Sequence, residues 1–297
     1  MRFSLWTNSE TAWPDLLERA TAAEAAGYDG VWVADHFMPN STHVERPMLE
    51  CFSVLAGLAA AVPRVRLGSL VAGATYRHPA VLANQATAID HVSGGRFVLG
   101  LGAGWQENEH EAYGIELGSV RERIDRFEEA CEVVTSLRDR PATTFDGTHY
   151  RLADAPMEPK PLGPLPLLIG SSGPTRMARI VARWADEWNT WGTPEGYAEK
   201  AAHVDRALEA SGRDPVSLQR STQALVLLGP DGAAKAEELA AIRPAVGGTP
   251  AQLVEVVGRY ADASVDELIV PDFTFGGQSQ ALETIEQIAR EVVDVVR

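Results

Sequence analysis

Cysteine is nearly absent, with only Cys51 and Cys131 in 297 residues. Both sit in apolar, helix-like stretches, so no disulfide framework holds the chain, and a reducing cytoplasm is the expected location. Basic residues are also few: 26 Lys and Arg stand against 41 Asp and Glu, a net charge of −15. That sign argues against nucleic acid and anionic membrane surfaces as partners. No apolar run reaches the roughly eighteen residues a bilayer span needs. The opening MRFSLWTNSETAWPD has no basic start leading into an apolar run, so no signal peptide is expected. The 7 histidines form no HxxxH or HxH pair and there is no CxxC, so no metal site is expected. A P-loop and a GxSxG elbow are missing too. The hard chemistry of such a chain falls to a bound organic cofactor.

What is present is ordinary globular composition, 45% hydrophobic and 23% charged. The length allows two domains or one barrel of about 250 residues. Short β-rich runs alternate with longer amphipathic ones. Strands are expected at 1–6, 31–34, 65–71, 96–101, LPLLIGS, EWNTW, QALVLLG and ELIVPDF. Between them, Pro14, Pro79 and Pro194 open helices, and Gly27 and Gly94 close them. The segment TTFDGTHYRL alternates around Asp146-Gly147, a tight-hairpin signal, and reads as a surface excursion near 143–153. Strands that read as continuous Val, Ile and Leu runs are buried on both faces. Eight strand–helix units over 1–297 therefore predict one (β/α)8 TIM-barrel domain, with its chemistry at the carboxyl ends of the strands.

Those ends carry the candidate residues. Strand two runs into Asp35-His36-Phe37; a carboxylate beside an imidazole can set its tautomer for proton transfer, or Asp35 can merely cap a turn. Strand three ends in GSLVAGAT, whose small residues either admit a flat ligand or only pack tightly. Strand four enters Gly100-Leu101-Gly102-Ala103-Gly104-Trp105. Its GxGxG spacing, with no apolar helix after it, is not a dinucleotide fingerprint. It leaves room for a planar ring beside Trp105. The cluster Glu107, Glu109, His110, Glu111 reads as a solvated loop or helix start rather than as the alternative, a metal site. Strand five ends in Gly170-Ser171-Ser172-Gly173-Pro174, and Arg176 follows on the next helix. Free amides, hydroxyls and a helix amino end there either make an anion site or form only an ordinary glycine-capped turn.

Taken together, VWVADHFMPN, RVRLGSLVAGATYRHP, GLGAGW, TFDGTHYRL, PLLIGSSGPTRMARIVARWADEWN and ASVDELIVPDF resemble the luciferase-like monooxygenase superfamily. The likeness is to its actinobacterial branch of oxidoreductases that use the deazaflavin coenzyme F420. The resemblance covers nearly the whole chain. It implies a bacterial-luciferase-like (β/α)8 barrel with an insertion near strand seven. It also implies F420 at the strands' carboxyl ends, hydride transfer with a small organic substrate, a homodimer, and a separate reductase supplying reduced cofactor. The alternative it leaves is an FMN-dependent monooxygenase using reduced flavin and O2. By resemblance, Asp35 and His36 line the ring and are the catalytic candidates. Ser69-Leu70 falls at a non-prolyl cis peptide behind the ring, which Leu70, Val71 and Ala72 contact. Gly102, Gly104 and Trp105 complete the ring site; Gly170, Ser171, Ser172 and Gly173, with Arg176, take the phosphate. Two departures from the sugar-phosphate dehydrogenases of this superfamily stand out: Asn40 replaces a tryptophan, and Trp105 replaces an acidic residue. The missing acid speaks against glucose 6-phosphate as substrate. It leaves His36 as the acid–base candidate unless Glu107 or Glu109 swings in.

Overall fold

The computed structural model describes residues 1–297. The chain begins with strand β1 (Arg2–Thr7), helix α1 (Trp13–Ala25), β2 (Gly30–Val33), α2 (Cys51–Ala61), β3 (Arg66–Ser69) and the short β4 (Ala72–Gly73). It continues through α3 (Pro79–Ser93), β5 (Phe97–Gly102), α4 (Glu107–Tyr113), α5 (Val120–Asp139), the antiparallel hairpin β6 (Ala142–Asp146) and β7 (Arg151–Pro156), and β8 (Leu167–Gly170). Then come α6 (Thr175–Trp184), β9 (Glu187–Trp191), α7 (Pro194–Ser211), β10 (Gln219–Gln223), β11 (Leu225–Leu228) and α8 (Gly232–Leu239). The last elements are β12 (Ala245–Gly248), α9 (Pro250–Asp262), β13 (Glu267–Pro271) and α10 (Gln278–Ile288).

Helix boundaries follow local chemistry. Ser119 and Glu122 form a capping box at α5, Thr249 and Gln252 another at α9, each satisfying amides that have no partner inside the helix. Glu50 caps α2 by accepting from the amides of Phe52 and Ser53. Glycines in the left-handed conformation, Gly94 and Gly212, end α3 and α7.

The parallel strands run in the order β3-β2-β1-β13-β10-β9-β8-β5, and β3 pairs with β5 through Leu67–Phe97 and Gly68–Val98, closing the ring. This is the expected eight-stranded (β/α)8 barrel. The helices bury their apolar stripes against the outside of the ring. At its amino end a polar plug stitches distant strands. Glu267, fully buried, accepts from Ser4 Oγ at 2.6 Å, Trp32 Nε1 at 2.9 Å, Arg66 at 2.6 Å and Arg2 at 3.1 Å. Arg66 also reaches Glu187 at 2.6 Å. Both cysteines are buried and free, and no helix is long and apolar enough to cross a membrane.

The seventh barrel strand is not where hydrophobicity puts it. The run QALVLLG was expected there, yet the strand is β10, the polar QRSTQ just before it. Three of its four buried polar side chains find partners on neighbours: Ser221 Oγ accepts from Asn189 at 2.9 Å, Thr222 Oγ1 donates to the Thr190 carbonyl at 2.8 Å, and Arg220 pairs with Asp205 at 2.6 Å. A strand most of whose polar groups are satisfied has no need of an apolar run. The Leu-Val-Leu-Leu stretch becomes β11, which pairs with β12 in a separate two-stranded parallel sheet crossed by α8. That βαβ excursion rises from the carboxyl end of β10, and is the insertion expected near strand seven.

Candidate active site

A cavity of about 870 Å³ opens at the carboxyl ends of the strands. Among the expected site residues, Asp35, His36, Leu70, Val71, Ala72, Gly102, Gly104, Trp105, Gly170, Ser171 and Ser172 line it. Ser69, Gly173 and Arg176 do not. Ser69 is fully buried, its hydroxyl donating to the Gly100 carbonyl at 2.8 Å and accepting from the Gly100 amide at 3.0 Å; it ties β3 to β5. Arg176 turns onto α5, pairing with Asp125 at 2.6 Å and Glu128 at 3.0 Å. The carboxylates of the neighbouring helix compete for it better than an open loop does. The guanidinium in the cavity wall on this side is Arg123 of α5, which has no carboxylate partner and reaches only the Gly118 carbonyl at 3.3 Å. Sequence reading missed it because an arginine one turn into an amphipathic helix looks like any solvated charge.

The wall formed by the glycines has a second occupant. Gly102 and Gly170 line the cavity but also back onto a side chain. A Cβ on Gly102 would lie 2.8 Å from Val71 Cγ2, and one on Gly170 would lie 2.9 Å from both Val71 methyls. Val71 therefore beds into the glycines of β5 and β8 and offers its outer face to the cavity. The cis peptide that presents it joins Leu70 and Val71, one bond later than the expected Ser69-Leu70. Gly104 is left-handed, with φ +82°, and a Cβ there would strike Thr75 at 2.6 Å.

Asp35 and His36 separate in role. Asp35 is 1% exposed. Arg77 holds it in a forked pair at 2.7 and 3.0 Å, and the Gly73 amide donates to it at 3.1 Å. Arg77 also reaches Glu50 at 2.6 Å. Burial pushes the Asp35 carboxyl up, with Arg77 pulling against it. With its oxygens committed to a fixed cation and the Gly73 amide, Asp35 pins the end of β2 to the β4 bend.

The carboxylate that serves His36 is Glu109 of α4, fully buried rather than solvated as expected. It accepts from His36 Nδ1 at 2.7 Å, from the Phe37 amide at 2.8 Å, and from the Tyr76 hydroxyl. Burial opposes its ionisation, but the hydrogen bonds from His36, Phe37 and Tyr76 prevail and hold its carboxyl below the ordinary value. Burial and the adjoining carboxylate push the Tyr76 hydroxyl up, so it stays a donor. With an ionised carboxylate on Nδ1, the neutral imidazole carries its proton there and leaves Nε2 with a lone pair and no protein partner. Trp105 meets the His36 ring edge-on, centroids 5.6 Å apart. His110 is buried as well, bonded to the Gln106 carbonyl at 2.6 Å and Thr75 Oγ1 at 2.8 Å, while Glu107 and Glu111 stay exposed.

Residues 1–292 match the family described as luciferase-like monooxygenase. Over 212 residues the chain is 32% identical to an F420-dependent glucose-6-phosphate dehydrogenase of Kineococcus radiotolerans, covering 70% of this chain and 62% of that protein. It is 31% identical over 223 residues to an F420-dependent hydroxymycolic acid dehydrogenase of Mycobacterium tuberculosis, covering 74% and 60%. A pyrimidine monooxygenase of Cronobacter sakazakii is 34% identical over 172 residues, covering 56% and 50%. The chain thus spans between half and two thirds of the length of these curated relatives. Among solved structures, an F420-dependent secondary alcohol dehydrogenase holding an F420-acetone adduct superposes with a TM-score of 0.86 at 20% identity, covering 100% of this chain and 99% of that one. The EDTA monooxygenase of Chelativorans sp. BNC1 reaches 0.81 at 16%, covering 100% and 93%. These likenesses establish the shared barrel.

Proposed function

The chain belongs to the luciferase-like monooxygenase family of oxidoreductases, and from that premise we propose that it is an F420-dependent dehydrogenase interconverting an alcohol and a carbonyl compound. The observation that carries this reading is the His36–Glu109 pair. It holds one imidazole nitrogen as a fixed proton acceptor at the cavity wall, which an alcohol dehydrogenation requires. Identity to the two F420-dependent dehydrogenases supports the same choice.

The cavity fits a deazaflavin on its own geometry. Val71, bedded on Gly102 and Gly170, gives a smooth apolar wall. The α6 helix starts without a side-chain cap, so its first amides lack acceptors, as an anion site requires. Ser171 and Ser172 lead into it, and Arg123 supplies an uncommitted positive charge on the same cavity. These residues would take the coenzyme's phosphate, and Leu70, Val71 and Ala72 its ring. When bound, F420 supplies a ring carbon that accepts or returns a hydride.

The protein's own part is proton handling and positioning. His36 Nε2 takes the hydroxyl proton as the substrate is oxidised and returns it to the carbonyl oxygen in the reverse direction. Glu109 holds the tautomer and neutralises the imidazolium that forms. Trp105 shields the pair from bulk water on one edge. Asn40 and Trp105 stand where the resemblance puts a tryptophan and an acid in sugar-phosphate dehydrogenases, so the substrate is not expected to be glucose 6-phosphate. In the reductive direction, reduced coenzyme comes from a separate reductase.

The test is a titration of the pure protein with F420 and, in parallel, with FMN, followed by tryptophan fluorescence. F420 is expected to bind tightly and FMN weakly. Arg123→Ser should weaken F420 at least about tenfold, the scale of one charge-assisted contact to an anion, while Arg176→Ser should leave it unchanged. Preference for FMN, with oxygen consumed during turnover, would replace the dehydrogenase by a monooxygenase.

A further inference from the structure

The cavity wall divides by chemistry around the ring. The arc β8, β5 and β4 presents glycines and Val71, described above as the cofactor side. The contiguous arc β1, β13, β10 and β9 presents large aromatics. Trp6 at the end of β1 packs against Trp191 of β9 with centroids 5.5 Å apart, and against Phe273 just after β13 at 5.1 Å.

This second wall also carries polar groups with nothing to bond. Trp6 is 8% exposed and Gln223 at the end of β10 is 3% exposed, yet Trp6 Nε1 has no acceptor and Gln223 Oε1 no donor. Both residues line the cavity. Orphaned buried groups cost free energy unless something else partners them. Above them stands Arg243, placed by the turn between α8 and β12, its guanidinium over the Trp191 ring at 5.0 Å. No carboxylate pairs with it. The acidic residues of the cavity wall are already committed, Glu10 to Arg46 at 3.1 Å and Asp35 to Arg77. In a chain of net charge −15, a guanidinium left free beside an aromatic recess is unusual.

We propose that the substrate is a flat aromatic molecule bearing a carboxylate, its ring seated among Trp6, Trp191 and Phe273 and its carboxylate on Arg243. Trp6 Nε1 and Gln223 Oε1 then bond a second, uncharged polar group of the same molecule. The word substrate rests on the oxidoreductase reading above; the binding site itself does not. A planar guanidinium is suited to forked recognition of a carboxylate, and aromatic walls favour a ring over an aliphatic chain. The excursion β11–α8–β12 becomes the element that selects the substrate, because it alone brings Arg243 to the mouth.

The experiment is isothermal titration of the purified protein, with and without F420, using 2-naphthoate, its uncharged counterpart 2-naphthalenemethanol, and acetate. Naphthoate should bind at least about tenfold tighter than the alcohol, and acetate should not compete at equal concentration. Arg243→Gln should remove the advantage of the acid while leaving the alcohol's affinity and the F420 Kd as they were. Equal binding of acid and alcohol overturns the proposal, as does failure of both to bind. So does an F420 Kd that weakens in Arg243→Gln, because the arginine then belongs to the coenzyme. Naphthoate discrimination in a protein that ignores F420 would retire the cofactor reading and leave this site standing.

Discussion

Replacing Glu109 by Gln tests the acid–base pair with almost no change of shape. The carboxylate receives His36 Nδ1 and Tyr76 on Oε1 and the Phe37 amide on Oε2. An amide has one accepting oxygen and one donating nitrogen, so it cannot receive both sides. If its oxygen faces Phe37, His36 Nδ1 meets an NH2 group and must itself accept. The ring proton then moves to Nε2, and the acceptor at the cavity wall is lost. If its oxygen faces His36, the Phe37 amide is left buried against another donor. Either orientation should cost about 1–3 kcal/mol of stability, a fall in Tm of roughly 2–5 °C for a chain of this length. A wrong tautomer or an unneutralised imidazolium should lower kcat about 10²- to 10⁴-fold. Substrate and F420 affinity should hardly move, because Glu109 touches neither. The pH dependence has a definite sign. The folded carboxyl lies below its ordinary value, so its stabilisation is complete above the ordinary carboxylate range and is lost as pH falls through the folded value. Urea unfolding against pH should therefore show an acid-side slope in the parent that flattens in Glu109→Gln. Alcohol turnover within about twofold of the parent, with an unaltered pH–rate profile, would refute the reasoning.

Other perturbations test the scaffold beneath the site. Arg77→Ala leaves Asp35 buried without its cation and should cost about 3–5 kcal/mol by denaturant unfolding. The deficit should narrow as pH falls from neutral and reach its minimum by about pH 4, the unfolded carboxyl's range, because an unpaired buried carboxyl with a raised pKa takes up a proton and its stability is fully present at low pH. A pH-independent deficit would contradict the role given to the pair. Gly170→Ala drives a methyl into Val71, 2.9 Å away, and should cost about 1–3 kcal/mol. Val71→Ala in the same chain should recover most of that loss, whereas strict additivity of the two changes would show that they do not meet.

The barrel was legible because its strands announce themselves. EWNTW coincides with β9, and the hairpin expected near 143–153 spans 142–156. Legibility failed where polarity was satisfied by partners distant in sequence. QRSTQ hid a barrel strand because Asn189 and Thr190 supply bonds that only the closed ring reveals. The apolar run beside it drew the strand assignment one segment too far. Adjacency misled at Asp35-His36, since consecutive residues at a strand end point apart, and the imidazole's carboxylate sits 73 positions away. Arg176 shows the same effect in reverse: sequence proximity ties it to the loop two residues upstream, but the facing helix claims it. Arg123 and Arg243 carry no local motif at all. What marks them is the absence of a counter-charge, which is visible only in three dimensions.

The plug around Glu267 has a consequence for how the chain acquires its shape. Its partners include residues 2, 4, 32 and 66, at sequence separations up to 265. Strand β13 is the stave between β1 and β10, so during synthesis both of those edges stay open until the last tenth of the polypeptide emerges. Ring closure is thus a late and highly non-local event, of the kind that slows folding and leaves strand edges exposed to neighbours. Truncations that stop just short of residue 267 should yield aggregating open barrels that lack one stave rather than smaller stable domains, however well their helices form.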